Sequence, residues 1–488
     1  MSEFTPKALR TLCRSLPGSV EGYFGHPQLQ NSHLYLPSSH LRALDPKAPL
    51  VVGMRGAGKT FWWQALFNNL NRAVQAAATA GRVHGRVVAR ACFGERTGQD
   101  DFPTPALFRD LLNTFSPEEI WRTIIGFHLF ESQSALGTLS SWSQRAAWTR
   151  DNVEPFESEL RSANQTLRTA GEFRLLMFDA MDTTSRQWQG DKGLQAILRA
   201  LLALALEFRN YSAFGLKVFV RQDMLDSQVL AFPDASKLYN NKVELTWPRR
   251  ELYGLLWQYL GNQAEGETFR NECHSLFQQR WQQAEDGGAW LAPPAMNQDE
   301  DLQEKVFIAM AGRWMGHNQR RGKTYSWLPN HLADAHAQTS PRSFLAAVLG
   351  AAENTPEDNR LALHFDGIKR GVQKASQIRV AEMAEDYPWV EKVMERLRGE
   401  VVPCEFGRLA EKWSSLDILG WVTRPDDDDS NPGRPLPGNL TGSDPKEFRE
   451  ALIQIGIFQS LHDGRINIPD VYRIGFGLGR RGGVRPVR

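Results

Sequence analysis

The stretch Gly53-Met54-Arg55-Gly56-Ala57-Gly58-Lys59-Thr60 decides the fold. It matches the phosphate-loop pattern G-x-x-x-x-G-K-[ST], and each residue type meets a requirement of phosphate binding. Glycines let backbone N–H groups turn inward around an anion. Lys59 is long enough to reach β and γ phosphates, and the Thr60 hydroxyl is suited to a magnesium ion. The expected nucleotide-binding residues are therefore Gly53, Arg55, Gly56, Ala57, Gly58, Lys59 and Thr60, with ATP and Mg2+ as the expected ligands. The flanks agree. Residues 49–52 are a short apolar run suited to a buried strand, and residues 61–70 read as an apolar helix whose positive end faces the loop. Two plainer readings stand beside this one: a glycine-rich turn with an unrelated lysine, and a nucleotide site that does not hydrolyse.

Moving outward, residues 86–93, 173–178 and 216–220 read as further strands, with a weak fifth at 242–245. Helical patterns alternate with them. Ser116-Pro117-Glu118-Glu119 carries an N-cap serine, a proline at the first helical position and a glutamate at the third, so a helix through Phe130 is expected. An apolar helix starts at Leu194. Strands alternating with helices predict an α/β fold, a parallel sheet wrapped on both faces. The expected core is residues 1–247, including a lead-in and a polar helical insertion at about 95–171. From 248 the pattern turns helical, predicting a lid domain over 248–400, with one helix opened by Ser340-Pro341 and another over 388–398. Residues 424–444 hold four consecutive aspartates, Asp426–Asp429, and read as a linker. Helices at 406–413 and 445–455 with a strand at 464–468 resemble a winged-helix domain over 401–488.

Leu175-Leu176-Met177-Phe178-Asp179 is an apolar strand that delivers a carboxylate to its end. Such an acid can hold a magnesium-bound water beside Thr60. Asp182 is a second carboxylate in reach. It is the candidate for orienting an attacking water, against a capping role shared with Thr183 and Thr184. The position after Asp179, where many hydrolysing proteins place a glutamate, is Ala180.

The order of strand, phosphate loop, acid-ended strand and further strand resembles the additional-strand P-loop ATPases. The loop with Arg55 between its glycines is similar to AAA+ and STAND ATPases, including origin-recognition-like members. Asp179-Ala180-Met181-Asp182 is similar to the D-G-hydrophobic-D element of STAND proteins, departing at Ala180 and at Thr183, where an acid is common. These departures bear on turnover rather than on binding. The resemblance spans roughly residues 20–350 and implies two sensors of the γ-phosphate. Arg221, ending Lys217-Val218-Phe219-Val220-Arg221, is the first, with a salt bridge to Asp223 or Asp226 as the alternative. Arg342, in Ser340-Pro341-Arg342, is the second, with an exposed first-turn arginine as the alternative. Lys59, Asp179, Asp182, Arg221 and Arg342 are thus the expected catalytic set, with Thr60 and Asp179 at the metal. The resemblance implies an ATP-hydrolysing switch that forms a homo-oligomer and signals to a separate effector. The arrangement is also similar to bacterial P-loop ATPases of genetic-conflict operons, implying antiphage defence. The other function class is a DNA-binding loader acting through 401–488.

Composition narrows the field further. The chain has 488 residues with 57 Lys and Arg against 56 Asp and Glu, so a uniformly basic nucleic-acid coat is not expected. Cys13, Cys92, Cys273 and Cys404 are widely spaced with no CxxC pair, which reads as reduced, cytoplasmic cysteine rather than a zinc cluster. Residues 1–14 lack a long apolar run and residues 194–208 are interrupted by charge, so neither a signal peptide nor a membrane span is expected. Two basic features are left over. Arg320-Arg321-Gly322-Lys323-Thr324-Tyr325 is either a phosphate contact or a solvated loop. The tail with Arg473, Arg480, Arg481, Arg485 and Arg488 is either a grip on nucleic acid or an end with no role.

Overall fold

The computed structural model describes residues 4–17, 35–67, 86–94, 101–184, 192–225, 227–284, 288–415, 440, 444–481 and 483–486. The linker with Asp426–Asp429, as well as Asp226 and Arg488, lie outside the described residues. The chain forms two compact units: Ser38–Thr246, and a second made of Met1–Pro37 with Trp247–Arg488.

The first unit is built on five parallel strands: β1 (Leu50–Gly53), β2 (Arg86–Phe93), β3 (Glu172–Phe178), β4 (Phe214–Arg221) and β5 (Val243–Glu244). Their order is β2-β3-β4-β1-β5. β4 therefore lies between the phosphate-loop strand and the acid-ended strand. Leu50, Val51, Leu175, Leu176, Met177, Phe178 and Val218 are wholly buried, as expected for a parallel sheet covered on both faces. The covering helices include α1 (Lys59–Phe67), α2 (Pro117–Leu129) and α3 (Lys192–Glu207). Helix α2 starts with the expected capping box, Ser116 and Glu119 each bonding the other's backbone N–H. Trp121 on α2 donates to the Ile197 carbonyl of α3 at 3.0 Å. Phe93, Phe108 and Phe178 pack around the same indole. Trp62 and Trp63 are core residues of α1, and Gly94 is required there because a Cβ would lie 2.6 Å from the Trp63 ring. The result is a parallel α/β sheet of P-loop type, with the phosphate loop directly after β1.

The second unit is mainly helical. Helix α4 (Arg249–Asn262) puts Leu252, Tyr253, Leu256, Trp257 and Leu260 in the core. Helices α5 (Pro341–Glu353) and α6 (Phe365–Asp386) approach closely because the contact is glycine: a Cβ at Gly350 would lie 3.0 Å from the Gly371 Cα. Of the lead-in, residues 1–48, expected with the nucleotide core, the part before Ser38 groups here and the rest with the first unit. Arg10, buried in the helix Pro6–Arg14, donates to the carbonyls of Glu357, Asn359, Leu361 and Ala362. A guanidinium with its donors placed on carbonyls is a tie that hydrophobic periodicity cannot reveal.

Residues 401–488 group with this unit rather than standing apart. The helices Phe406–Ser415 and Pro445–Gln454 are followed by an antiparallel hairpin, Gln459–Ser460 with Ile466–Asn467, and Cys404 bridges Ile466 from a third strand position. Trp413 stacks on Phe458 with centroids 6.2 Å apart. Two arginines of the tail, Arg473 and Arg480, depart from both expectations, while Arg481 and Arg485 are exposed. Arg473 is fully buried, pairs with Asp470 at 2.8 Å and donates to the carbonyls of Leu478 and Val484. Arg480 pairs with Asp470 at 3.0 Å and bonds the Asn467 side chain. These arginines are structural because Asp470 precedes them by three and ten residues.

Candidate functional site

Parallel strands end on one edge of a sheet, and that edge collects the candidate residues. Gly53 at the end of β1 is in register with Arg221 at the end of β4, and Phe178 of β3 is in register with Val218. Asp179, immediately after β3, is fixed by its N–H donating to the Phe93 carbonyl at 2.9 Å. Three residues distant in sequence, Lys59, Asp179 and Arg221, thereby meet beside the loop.

The loop has the backbone its glycines permit. Gly56 and Gly58 have φ of +77° and +99°, and a Cβ at Gly53 would lie 3.0 Å from that of Ala57. Lys59 Nζ donates to the carbonyls of Gly53 and Met54 at 3.1 and 2.9 Å. Desolvation first, and the Arg221 guanidinium second, bring its ammonium down to about 8. An ammonium that holds only backbone carbonyls, with Arg221 beside it, is suited to an anion.

Asp179 is 2% exposed. Burial raises its carboxyl to about 6, against the opposing pull of a hydrogen bond from Thr60 and of Lys59. One oxygen, Oδ2, is buried with no hydrogen-bond partner. An orphaned carboxylate oxygen next to a threonine hydroxyl fits a hydrated magnesium ion, which takes one or two protein oxygens and fills the rest with phosphate and water. Among the described residues no group of three or more His, Cys, Asp or Glu could hold a metal by itself.

Asp182 sits on the short turn Met181–Thr184, half-buried, 3.9 Å from Arg221 Nη1. The turn is held by Arg109, which donates to the Thr183 carbonyl at 2.8 Å; no signal in the sequence marks that arginine. The hydroxyls of Thr183 and Thr184 bond back to the carbonyls of Ala180 and Met181. Ala180 itself has φ of +54°, in the left-handed region. An L-residue there costs about 1–2 kcal/mol, which is the physical reason a glycine suits this position.

Arg221 is buried and grips Asp223 through two bonds, 3.2 Å from Nε and 2.8 Å from Nη2. The salt bridge to Asp223 weighed for this residue is thus present, at the end of the strand beside the loop. Arg342 lies in the other unit. It pairs with Glu382 at 2.7 Å, and Glu382 pairs with buried Arg379 at 3.2 Å. Sequence reading missed Glu382 because it is forty residues away on another helix.

No family model and no curated protein matches the chain. Among solved structures it is similar to the Aeropyrum pernix ORC2 protein in ADPNP–ADP complexes, at 13% identity and a TM-score of 0.39, over 87% of this chain and 84% of that one. It is similar to the Walker-type ATPase PABY2304 of Pyrococcus abyssi at 13% identity and a TM-score of 0.36, over 92% and 97%. It is also similar to the Aeropyrum pernix ORC1 protein in complex with DNA at 13% identity and a TM-score of 0.33, over 89% and 90%.

Proposed function

We propose that the chain is a Mg–ATP-driven switch that binds ATP on residues 53–60, hydrolyses it slowly, and passes the state of the γ-phosphate to self-assembly and to a separate effector protein. The observation that carries this reading is buried Asp179 beside Thr60, with Oδ2 unpartnered at the strand edge that also holds Lys59 and Arg221. Magnesium, when bound, would neutralise phosphate charge between Thr60 and Asp179. Lys59 exchanges the carbonyls of Gly53 and Met54 for phosphate oxygens. Arg221, held by Asp223, faces charge that develops as the terminal phosphoryl leaves. Asp182 is the carboxylate available to hold the attacking water. Its ion-pair distance from Arg221 and the absence of an acid at Ala180 support slow turnover. Arg342 is the proposed second sensor; reading the γ-phosphate would require it to exchange the Glu382 carboxylate for phosphate.

The proposed setting is a cytoplasmic bacterial antiphage system, resting on the likeness of the motif order to ATPases of genetic-conflict operons. Among the described residues no helix is long and apolar enough to cross a membrane. Light scattering of wild type and Lys59→Ala with ATP, with ADP and without nucleotide tests the switch. Assembly driven by ATP alone, and lost in the variant, is expected; a size that never changes contradicts it.

A second reading, a DNA-loading ATPase, is favoured by the helix Pro445–Gln454 followed by the hairpin Gln459–Ser460 and Ile466–Asn467. It requires duplex binding that falls in Lys446→Ala/Arg465→Ala.

A further inference from the structure

The second unit carries a basic hairpin that neither reading uses. Between Glu304 and Asp334 the sequence contains no acidic residue, while it contains Lys305, Arg313, Arg320, Arg321 and Lys323. In a chain with a net charge of +1, such a run is a local departure. The structure shows what becomes of each charge. Trp314 bridges Lys323 antiparallel, Met315 N–H donates to the Gly322 carbonyl at 2.9 Å, and Thr324 N–H donates to the Arg313 carbonyl at 3.1 Å. The tip is the turn Gln319–Arg321, capped by the Asn318 side chain accepting from Arg320 N–H at 3.1 Å. Met315 is 2% exposed and anchors the hairpin in the core. The Arg321 stem lies across Gly316, where a Cβ would be 3.0 Å from its Cγ.

Lys323 is paired with Glu304 at 2.7 Å. Arg313, Arg320 and Arg321 are exposed, and no ion pair among the described residues engages them. The segment that packs on the hairpin through His317 and Phe365 carries Asp366, which is occupied by Lys369 at 2.9 Å. Three guanidiniums are thus held on a hydrogen-bonded support with no carboxylate partner. In the C-terminal region Arg449 pairs with Glu450, Arg465 with Asp463, and Arg473 and Arg480 with Asp470, while Arg481 and Arg485 are exposed.

We propose that the hairpin of residues 313–323 is a docking surface for the phosphate backbone of duplex DNA, with Arg313, Arg320 and Arg321 as its phosphate contacts. A duplex is favoured over a single strand by the aromatic residues. Single-strand binding needs open ring faces on which bases stack. Here Trp314 carries the Arg313 guanidinium 5.0 Å from its centroid, and Trp327 stacks on His331 at 3.7 Å. Phosphate contacts need only the forked donors of arginine, and they carry no sequence preference.

Fluorescence anisotropy with a labelled duplex, with wild type and the full-length variant Arg313→Ala/Arg320→Ala/Arg321→Ala between about 50 and 200 mM salt, tests the proposal. The three side chains are exposed, so an unchanged far-UV spectrum and melting temperature are expected. The variant is expected to lose at least about tenfold in affinity at low salt and to flatten the slope of log K against log salt by about 3. Unchanged affinity and slope in the variant overturn the proposal, as does a wild type that binds no duplex. Tighter binding to the matching single strand also overturns it. ATP-driven assembly, read in the same samples by light scattering, is expected to survive in the variant, so failure of the docking surface and failure of the switch register separately. Loss in Lys446→Ala/Arg465→Ala, with none in the triple variant, moves the contact to the C-terminal hairpin and contradicts the proposal.

Discussion

The two units treat charge in opposite ways. In Ser38–Thr246 the ionisable groups at the strand edge are brought together and left incompletely answered. Lys59 holds only backbone carbonyls, Asp179 Oδ2 holds nothing, and both groups titrate away from their ordinary ranges. In the helical unit two buried networks close on themselves. Arg342 meets Glu382, Glu382 meets Arg379, and Arg379 bonds the Tyr472 hydroxyl at 3.3 Å. Asp470 gathers Arg473 and Arg480, with His331 at 3.6 Å. Groups that the protein satisfies internally are architecture; groups that it buries and leaves open await a ligand.

The sharpest way to break this comparison is to open a closed network. Glu382→Ala removes the ion-pair partner of buried Arg379 and of Arg342 and is expected to destabilise the chain by about 3–5 kcal/mol, read by urea unfolding. Arg379→Met/Glu382→Leu should restore most of that loss. A small effect from the single variant would make the network ornamental.

Opening the nucleotide edge has a different signature. Lys59→Ala and Asp179→Asn should each lower phosphate release from ATP by about 10²–10³-fold while leaving the fold intact. Asp179→Asn should also raise the melting temperature of the nucleotide-free protein at pH 8, because a buried carboxylate is replaced by a neutral amide. A fall in melting temperature would show that Asp179 serves the fold.

This distribution explains what could be read from the sequence. The loop, the strand ending in Asp179 and the strand ending in Arg221 are local patterns, each a short apolar run with a polar residue at its end, so they were legible. So was the capping box at Ser116, which occupies four adjacent residues. The partners Glu382 for Arg342, Asp470 for Arg480, and the carbonyls of residues 357–362 for Arg10 lie ten to 352 residues away. Periodicity carries no information about such pairings, so the structural roles of Arg473 and Arg480 were not legible. The grouping of the helix Pro6–Arg14 with the helical unit was not legible because adjacency in sequence does not report packing.

A third test uses acid. His40 is buried, accepts from the Trp62 indole at 2.9 Å through Nδ1 and donates to the Thr246 carbonyl at 3.1 Å through Nε2. Burial brings it down to about 4, and burial does the same to His128. Between about 6.5 and 4 the unfolded chain takes up protons that the folded one refuses, so stability is lost as pH falls through that window, by up to about 3 kcal/mol per histidine. His40→Gln, which can accept and donate at the same places, should flatten the decline measured by urea unfolding from pH 7 to pH 4. An unchanged decline would remove His40 from the account.

The smallest effect concerns strain. Ala180→Gly should relieve the left-handed backbone at φ +54° and stabilise the first unit by at most about 1 kcal/mol, read as a small rise in melting temperature. Destabilisation would show that the alanine methyl makes a contact worth more than the strain.

The central claim is that the open charges beside residues 53–60 are a nucleotide site. Calorimetric titration of ATP into wild type, with and without magnesium, and into Lys59→Ala and Asp179→Asn, tests it most directly. Wild type should bind ATP, and magnesium should strengthen binding. Lys59→Ala should lose binding, and Asp179→Asn should keep binding but lose the magnesium effect. Equal binding by wild type and Lys59→Ala, or no binding by wild type, would contradict the account.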